Sequence, residues 1–172
     1  MSNRKKTIMV SVIVVLLVLV TSFFGYRAYR YYDFKRAYEK GTTYEQLDVL
    51  MNSKRYVKAV RKAGYQVEQS DVFMYGRIPW LVIDEKDNLE VKSPGETIAV
   101  SFVANVDSIG KVNAFWVLNN KLKIQDSLYY PIQEDGSDGE RVELSTSEEQ
   151  KLLKEVKKEI TDMLKSVYES AY

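Results

Sequence analysis

The chain has 172 residues, a formal net charge of +1, 45% hydrophobic and 28% charged residues, and neither cysteine nor histidine. That balance suits one globular domain and lacks the basic excess of a nucleic-acid binder. Without cysteine there is no disulfide, thiolate metal site or thiol nucleophile; without histidine the commonest general base, the commonest transition-metal ligand and the middle member of the serine triad are gone as well.

A short tail, residues 1–6, carries Arg4, Lys5 and Lys6. Thr7 to Tyr26 then hold no charge (TIMVSVIVVLLVLVTSFFGY). As a helix these residues cover about 30 Å, the thickness of a bilayer's hydrocarbon core. A soluble helix of that length needs a polar face, and Ile8, Val10, Val12, Leu16, Leu17, Val20, Phe23 and Phe24 leave none. Tyr26, Tyr29, Tyr31 and Tyr32 extend the aromatic belt expected at a membrane surface. The expectation is a transmembrane anchor over residues 7–26, with the lipid bilayer as its partner. The competing reading is a cleaved signal peptide. Its apolar core usually spans about 7–15 residues before a small-residue site, whereas this run is longer and offers only the weak Val20-Thr21-Ser22.

Residues 27–40 carry Arg27, Arg30, Lys35, Arg36 and Lys40, so the count of positive charges does not by itself favour an exported C-terminal part. Large domains translocate with little regard to charge, however, and a basic start before an apolar run reads as an export signal. The expected arrangement is therefore N-terminus inside and an extracytoplasmic C-terminal domain.

Residues 26–40 contain no Gly or Pro and are expected to continue the helix, as a juxtamembrane segment over 27–41. Gly41 suits its C′ position. A single domain over 42–172 follows. Thr42 with Glu45, or Thr43 with Gln46, offers a capping box ahead of Leu47, Leu50 and Met51. Ser53 caps a further helix with Tyr56, Val57 and Val60 on one face, ending at Gly64. The apolar period then falls from about 3.6 to 2. Strands are expected over 65–75 and 78–83, the second an edge or a late start because of Pro79, with a turn over 84–88. The clearest strand is 97–106, with Ile98, Val100, Phe102, Ala104 and Val106 on one face. A turn over 107–110 leads into 111–118. Asn119-Asn120 reads as a two-residue hairpin loop that sets Val117 opposite Leu122 and Phe115 opposite Ile124, leaving Trp116 on the other face with Lys121 and Lys123. A three-residue loop would put Trp116 with Ile124. Beyond the acidic loop 134–140, Thr146 with Glu149 caps a helix over 147–168 whose stripe is Leu152, Leu153, Val156, Ile160, Met163, Leu164 and Val167. This order predicts an α+β domain: helices, a mostly antiparallel meander of about five strands, then one amphipathic helix on the sheet.

Charge is uneven along the chain. Residues 27–66 hold ten basic and four acidic groups, and residues 130–172 hold six basic and eleven acidic. Lys54, Arg55, Lys58, Arg61 and Lys62 suit anionic lipid headgroups or an anionic wall polymer, or are simply a solvated helix face. Trp80 and Trp116 suit stacking on a ligand, although strand aromatics are more often core. Matching Gly139 to the invariant glycine of a calcium loop puts Gly136 and Ser145 where carboxylates belong, so no metal site is expected. Asp84 and Glu85 are neighbours in a strand and point to opposite faces, a poor catalytic dyad. No nucleophile, Walker or dinucleotide signature appears, and no cofactor is expected. The functional expectation is a bacterial single-pass membrane protein with a non-enzymatic interaction domain that binds an envelope protein or wall polymer. Its alternatives are a membrane-tethered cytoplasmic regulator and a carboxylate-dependent hydrolase.

Overall fold

In the computed structural model, which describes residues 3–67, 78, 80–84, 89–92 and 95–172 with side chains from Ile8 onward, the uncharged run lies inside a helix, α1 (Asn3–Tyr31). Its window Ile8–Tyr31, 24 residues, is long and apolar enough to cross a membrane, and none of it is buried against the rest of the protein. The helix does not run on to residue 40. It stops at Tyr31, and α2 (Asp33–Lys40) starts after a break at Tyr32 (φ −102°, ψ 13°). Tertiary contacts outweigh the local propensity to continue. Asp33 Oδ1 accepts the Phe34 amide at 2.8 Å, and the bend carries Phe34 into a fully buried site 5.1 Å from the Tyr56 ring. Gly41 closes α2 in extended backbone (φ −95°, ψ 168°) rather than in the left-handed C′ form. Room is what requires glycine there, because a Cβ would stand 2.6 Å from the Ala37 carbonyl oxygen.

Of the two candidate boxes, Thr42 with Glu45 opens α3 (Thr43–Met51). Leu47, Leu50 and Met51 of that helix are buried. Ser53 caps a 3₁₀ turn (Lys54–Tyr56) that runs into α4 (Val57–Lys62). Tyr56, Ala59 and Val60 face inward. The helix ends with Tyr65 N–H bonded to Val60 O and Gly64 N–H to Arg61 O, with Gly64 at φ +92°, a turn glycine adopts without strain.

Six strands follow among the described residues: β1 (Gln66–Val67), β2 (Trp80–Asp84), β3 (Leu89–Lys92), β4 (Ile98–Val106), β5 (Gly110–Leu118) and β6 (Ile124–Pro131). Each pairs antiparallel with the next, so the sheet is a meander in chain order. The strand beyond the expected five is β3, whose four residues are too few for an alternation to stand out. Most of the strand expected over 65–75, together with Pro79 and residues 85–88, lies outside the described residues. In β4 the five residues expected to face inward are all buried.

The β5–β6 loop departs furthest from expectation. It spans residues 119–123 rather than two, with Leu118 paired to Ile124. The Asn119 side-chain oxygen accepts the Lys121 and Lys123 amides at 2.8 and 3.1 Å, and Asn119 N–H donates to Lys123 O at 3.0 Å. Leu122 takes φ +53° and is buried, so the gain from burying leucine offsets the cost of left-handed backbone. Past a bulge, Phe115 pairs with Leu128 and Trp116 with Ser127, in place of the expected Phe115–Ile124 pair.

Helix α5 (Thr146–Ala171) packs on the inner face of the sheet, and all seven residues of its predicted stripe are buried. At about 1.5–3 kcal/mol for each buried aliphatic side chain, that stripe dominates the helix's stability. Its cap sits one residue earlier than predicted, as a Ser145–Glu148 box. Glu149 is already committed, accepting the Ser127 and Tyr129 hydroxyls at 3.0 and 2.8 Å, while Glu148 also accepts Ser108 at 2.6 Å.

Candidate functional site

A helix leaves its last carbonyls without internal partners. Those of α1 are taken by side chains from three other places in the chain. Tyr29 O accepts the Arg36 guanidinium at 2.9 Å, Arg30 O accepts Arg55, and Tyr31 O accepts the Tyr172 hydroxyl at 2.9 Å. The same Tyr172 oxygen accepts the Lys35 amide at 3.2 Å, and its ring stacks on Tyr32 at 6.1 Å. Tyr38 and Tyr168 stack alongside at 4.2 Å. Below this cluster Asp33 holds Arg30 at 3.7 Å and Arg55 at 4.0 Å, and it accepts the Tyr56 hydroxyl. Burial, and then the bond to Asp33, push the Tyr56 phenol far above its ordinary pKa, so it remains a donor. The end of α1 is thereby fixed to the domain by α2, the 3₁₀ turn and the end of α5.

The five basic residues of the 54–62 segment do not form one patch. Arg55 turns toward Asp33 and the α1 carbonyl. Arg61 lies beside Gly64 and Tyr65 in a separate depression. Lys54 is exposed on the 3₁₀ turn. Lys58 and Lys62, one turn apart on α4, line a groove of about 310 Å³ together with Arg55, Tyr31 and Tyr172.

Trp116 is not a surface residue. It is 1% exposed, meets Phe102 edge-on at 4.6 Å, and donates from Nε1 to the Tyr129 hydroxyl at 2.7 Å. Burial, and then the bond to Glu149, raise the Tyr129 phenol well above its ordinary value. The misplacement comes from reading 119–120 as a two-residue loop with Phe115 opposite Ile124, and the β4–β5 turn supplies the register that corrects it. Gly110, at φ +81°, pairs with Val106 and closes a three-residue loop, which sets Trp116 opposite buried Val100. Counting Gly110 as part of the turn shifts the register by one and exchanges the two faces. Phe115 is the aromatic residue on the outer face, 42% exposed and 6.3 Å from Tyr130. A glycine ahead of a strand was the signal that would have found it. Trp80 is half-buried on the outer face of β2, with the Lys92 ammonium 5.3 Å from its ring.

A second groove, of about 430 Å³, runs between the sheet and α5 and is lined by Asp84, Lys111, Glu155 and Glu159 among others. General acid–base work by two carboxyls needs one of them held protonated by burial. Glu155 and Glu159 are exposed, and among the described residues no charged side chain is buried. No group of three or more acidic side chains among the described residues is placed to hold a metal. Asp135 accepts the Ser137 amide and hydroxyl within its own turn, and Asp138 accepts Asn113 at 2.5 Å. Compared with protein-family models, with curated proteins and with solved structures, the chain gives no match.

Proposed function

We propose that the chain is a single-pass membrane protein that displays a non-enzymatic α+β binding domain on the outer side of a cell membrane. The observation that carries this reading is the contrast within α1. Its apolar length is wholly exposed, while its final carbonyls are held by the domain. A helix whose uncharged run, residues 7–26, packs on no other part of the protein finds its burial in lipid. The capped junction then holds the domain close to the membrane surface. The outward side rests on the short basic tail and on the ease with which large domains translocate. The lack of histidine and of a buried charged group among the described residues supports binding rather than catalysis. The outer face of the sheet, with Trp80, Phe115 and Tyr130, is the surface offered to an envelope protein or wall polymer.

Alkaline washing of membranes that carry the full chain tests the anchor, and protease added to intact cells tests the side. The expected result is a chain that stays in the pellet and loses residues 42–172 to external protease. Release into the alkaline wash would end the anchor reading. Protection until lysis would place the domain inside, as the five basic residues after the apolar run favour, and would make the protein a tethered cytoplasmic regulator.

A further inference from the structure

The uncharged run ends at Tyr26, and Tyr31 lies five residues further along the same helix, a rise of about 7 Å. The headgroup layer on each side of a bilayer is about 5–8 Å thick. With α1 across the membrane, as proposed above, Tyr31 therefore stands at the level of the lipid phosphates. Tyr31 is also a wall of the 310 Å³ groove whose cations are Arg55, Lys58 and Lys62 and whose lining includes no Asp or Glu. Arg55 is shared with Asp33, but Lys58 and Lys62 are exposed and make no ion pair among the described residues. Like charges one helical turn apart repel, and an anion seated between them turns that repulsion into two attractions.

We infer that this groove binds the headgroup of an anionic phospholipid in the leaflet from which α1 emerges. The inference rests on the membrane reading of α1 and adds a ligand class to it. Height decides between a lipid and a soluble polyanion. The groove opens beside the end of the apolar helix, where the lipid phosphate is already present, while a polymer outside the membrane would have to enter the headgroup layer. The Tyr31, Tyr32 and Tyr172 rings beside the groove suit the same boundary, with an apolar body and a polar tip.

The test uses the full chain in nanodiscs of phosphatidylcholine alone or with about one-third phosphatidylglycerol, at low salt. Lysine acetylation is read residue by residue by mass spectrometry, and retained lipid is counted in the intact complex. Lys58 and Lys62 are expected to label about fivefold more slowly in the anionic discs, the equivalent of one basic residue at an anionic surface. Molar salt should restore the rate, and Lys121 and Lys123 should be indifferent to lipid. The pair K58E/K62E should lose the retained phosphatidylglycerol, while K121E/K123E, with the same change of charge, keeps it. Chains held in both discs with equal labelling of Lys58 and Lys62 would overturn this site and leave the anchor standing. Protection by glycerol phosphate in neutral discs would overturn it in favour of a soluble phosphate site. Chains recovered outside either disc would remove the membrane reading and this site together.

Discussion

At the N-terminal end of α5, Glu149 accepts the buried Tyr129 phenol, and that phenol accepts Trp116. At the C-terminal end the helix meets a second pair, in which Asp33 accepts the buried Tyr56 phenol. Burial comes first among the causes that raise both phenols, so each remains a neutral donor to its carboxylate. The surroundings differ in sign. Residues 130–172 carry five more acidic than basic groups, while residues 27–66 carry six more basic than acidic. Asp33 holds two cations besides its phenol, Arg30 and Arg55, whereas Glu149 makes no ion pair among the described residues. Arg30 and Arg55 are thereby engaged near α1, and Lys58 and Lys62 are left exposed in the groove beside Tyr31.

The sharpest way to break this comparison is Trp116→Ala. A fully buried indole lost from the core should cost about 3–5 kcal/mol, read by denaturant unfolding of the full chain in micelles. Exchange of the Lys35 amide at the other end should be unchanged under native conditions. A loss below 1 kcal/mol would show that Trp116 does not anchor its end.

Tyr129→Phe should cost about 1–3 kcal/mol, because it leaves the Trp116 Nε1 donor buried without an acceptor. Tyr56→Phe should cost less, since the Phe34 amide keeps its bond to Asp33. The reverse order would mean that the two ends are not built alike.

A pH series sharpens the likeness further. Both phenols have folded pKa values above the ordinary 10.0, so their contribution is fully present below that pH. It declines above pH 10, where the unfolded chain ionises and the folded chain does not. The unfolding midpoint should fall with rising pH there, and each Tyr→Phe change should remove its own share of the slope.

The smallest effect lies at the acid side. Bonds from Ser108 and then Ser145 hold Glu148 below its ordinary value of 4.5. That contribution is present above pH 4.5 and is lost as pH falls through the folded value. Hydrogen exchange in the first turn of α5 should rise over that window, and less steeply when Ser108→Ala and Ser145→Ala are combined to remove both hydroxyls.

The elements legible in the sequence were those set by neighbours within one turn or one strand. The Thr42–Glu45 box, the α5 stripe and the β4 alternation all depend on spacings of two to four residues. The break at Tyr32 does not. Asp33 and the α1 carbonyls are engaged by residues 55, 56 and 172, which no local window holds. The inward side of Trp116 turned on the lengths of the two loops that flank β5, at Gly110 and at residues 119–123, which alternation alone does not set. The basic segment was visible as composition. That Arg55 turns in while Lys58 and Lys62 share a groove required the position of α1, which enters through non-local contacts.

The Tyr172 hydroxyl reaches a carbonyl 141 positions earlier in the chain. A ribosome adding roughly 5–20 residues per second takes about 7–30 s to make that stretch. Through those seconds Arg36 and then Arg55 become available to the Tyr29 and Arg30 carbonyls, while the Tyr31 carbonyl stays open to water or to whatever meets the nascent polypeptide. The joint between helix and domain is therefore closed only after α5 has been made, and its timing is set by translation rather than by the speed of helix formation.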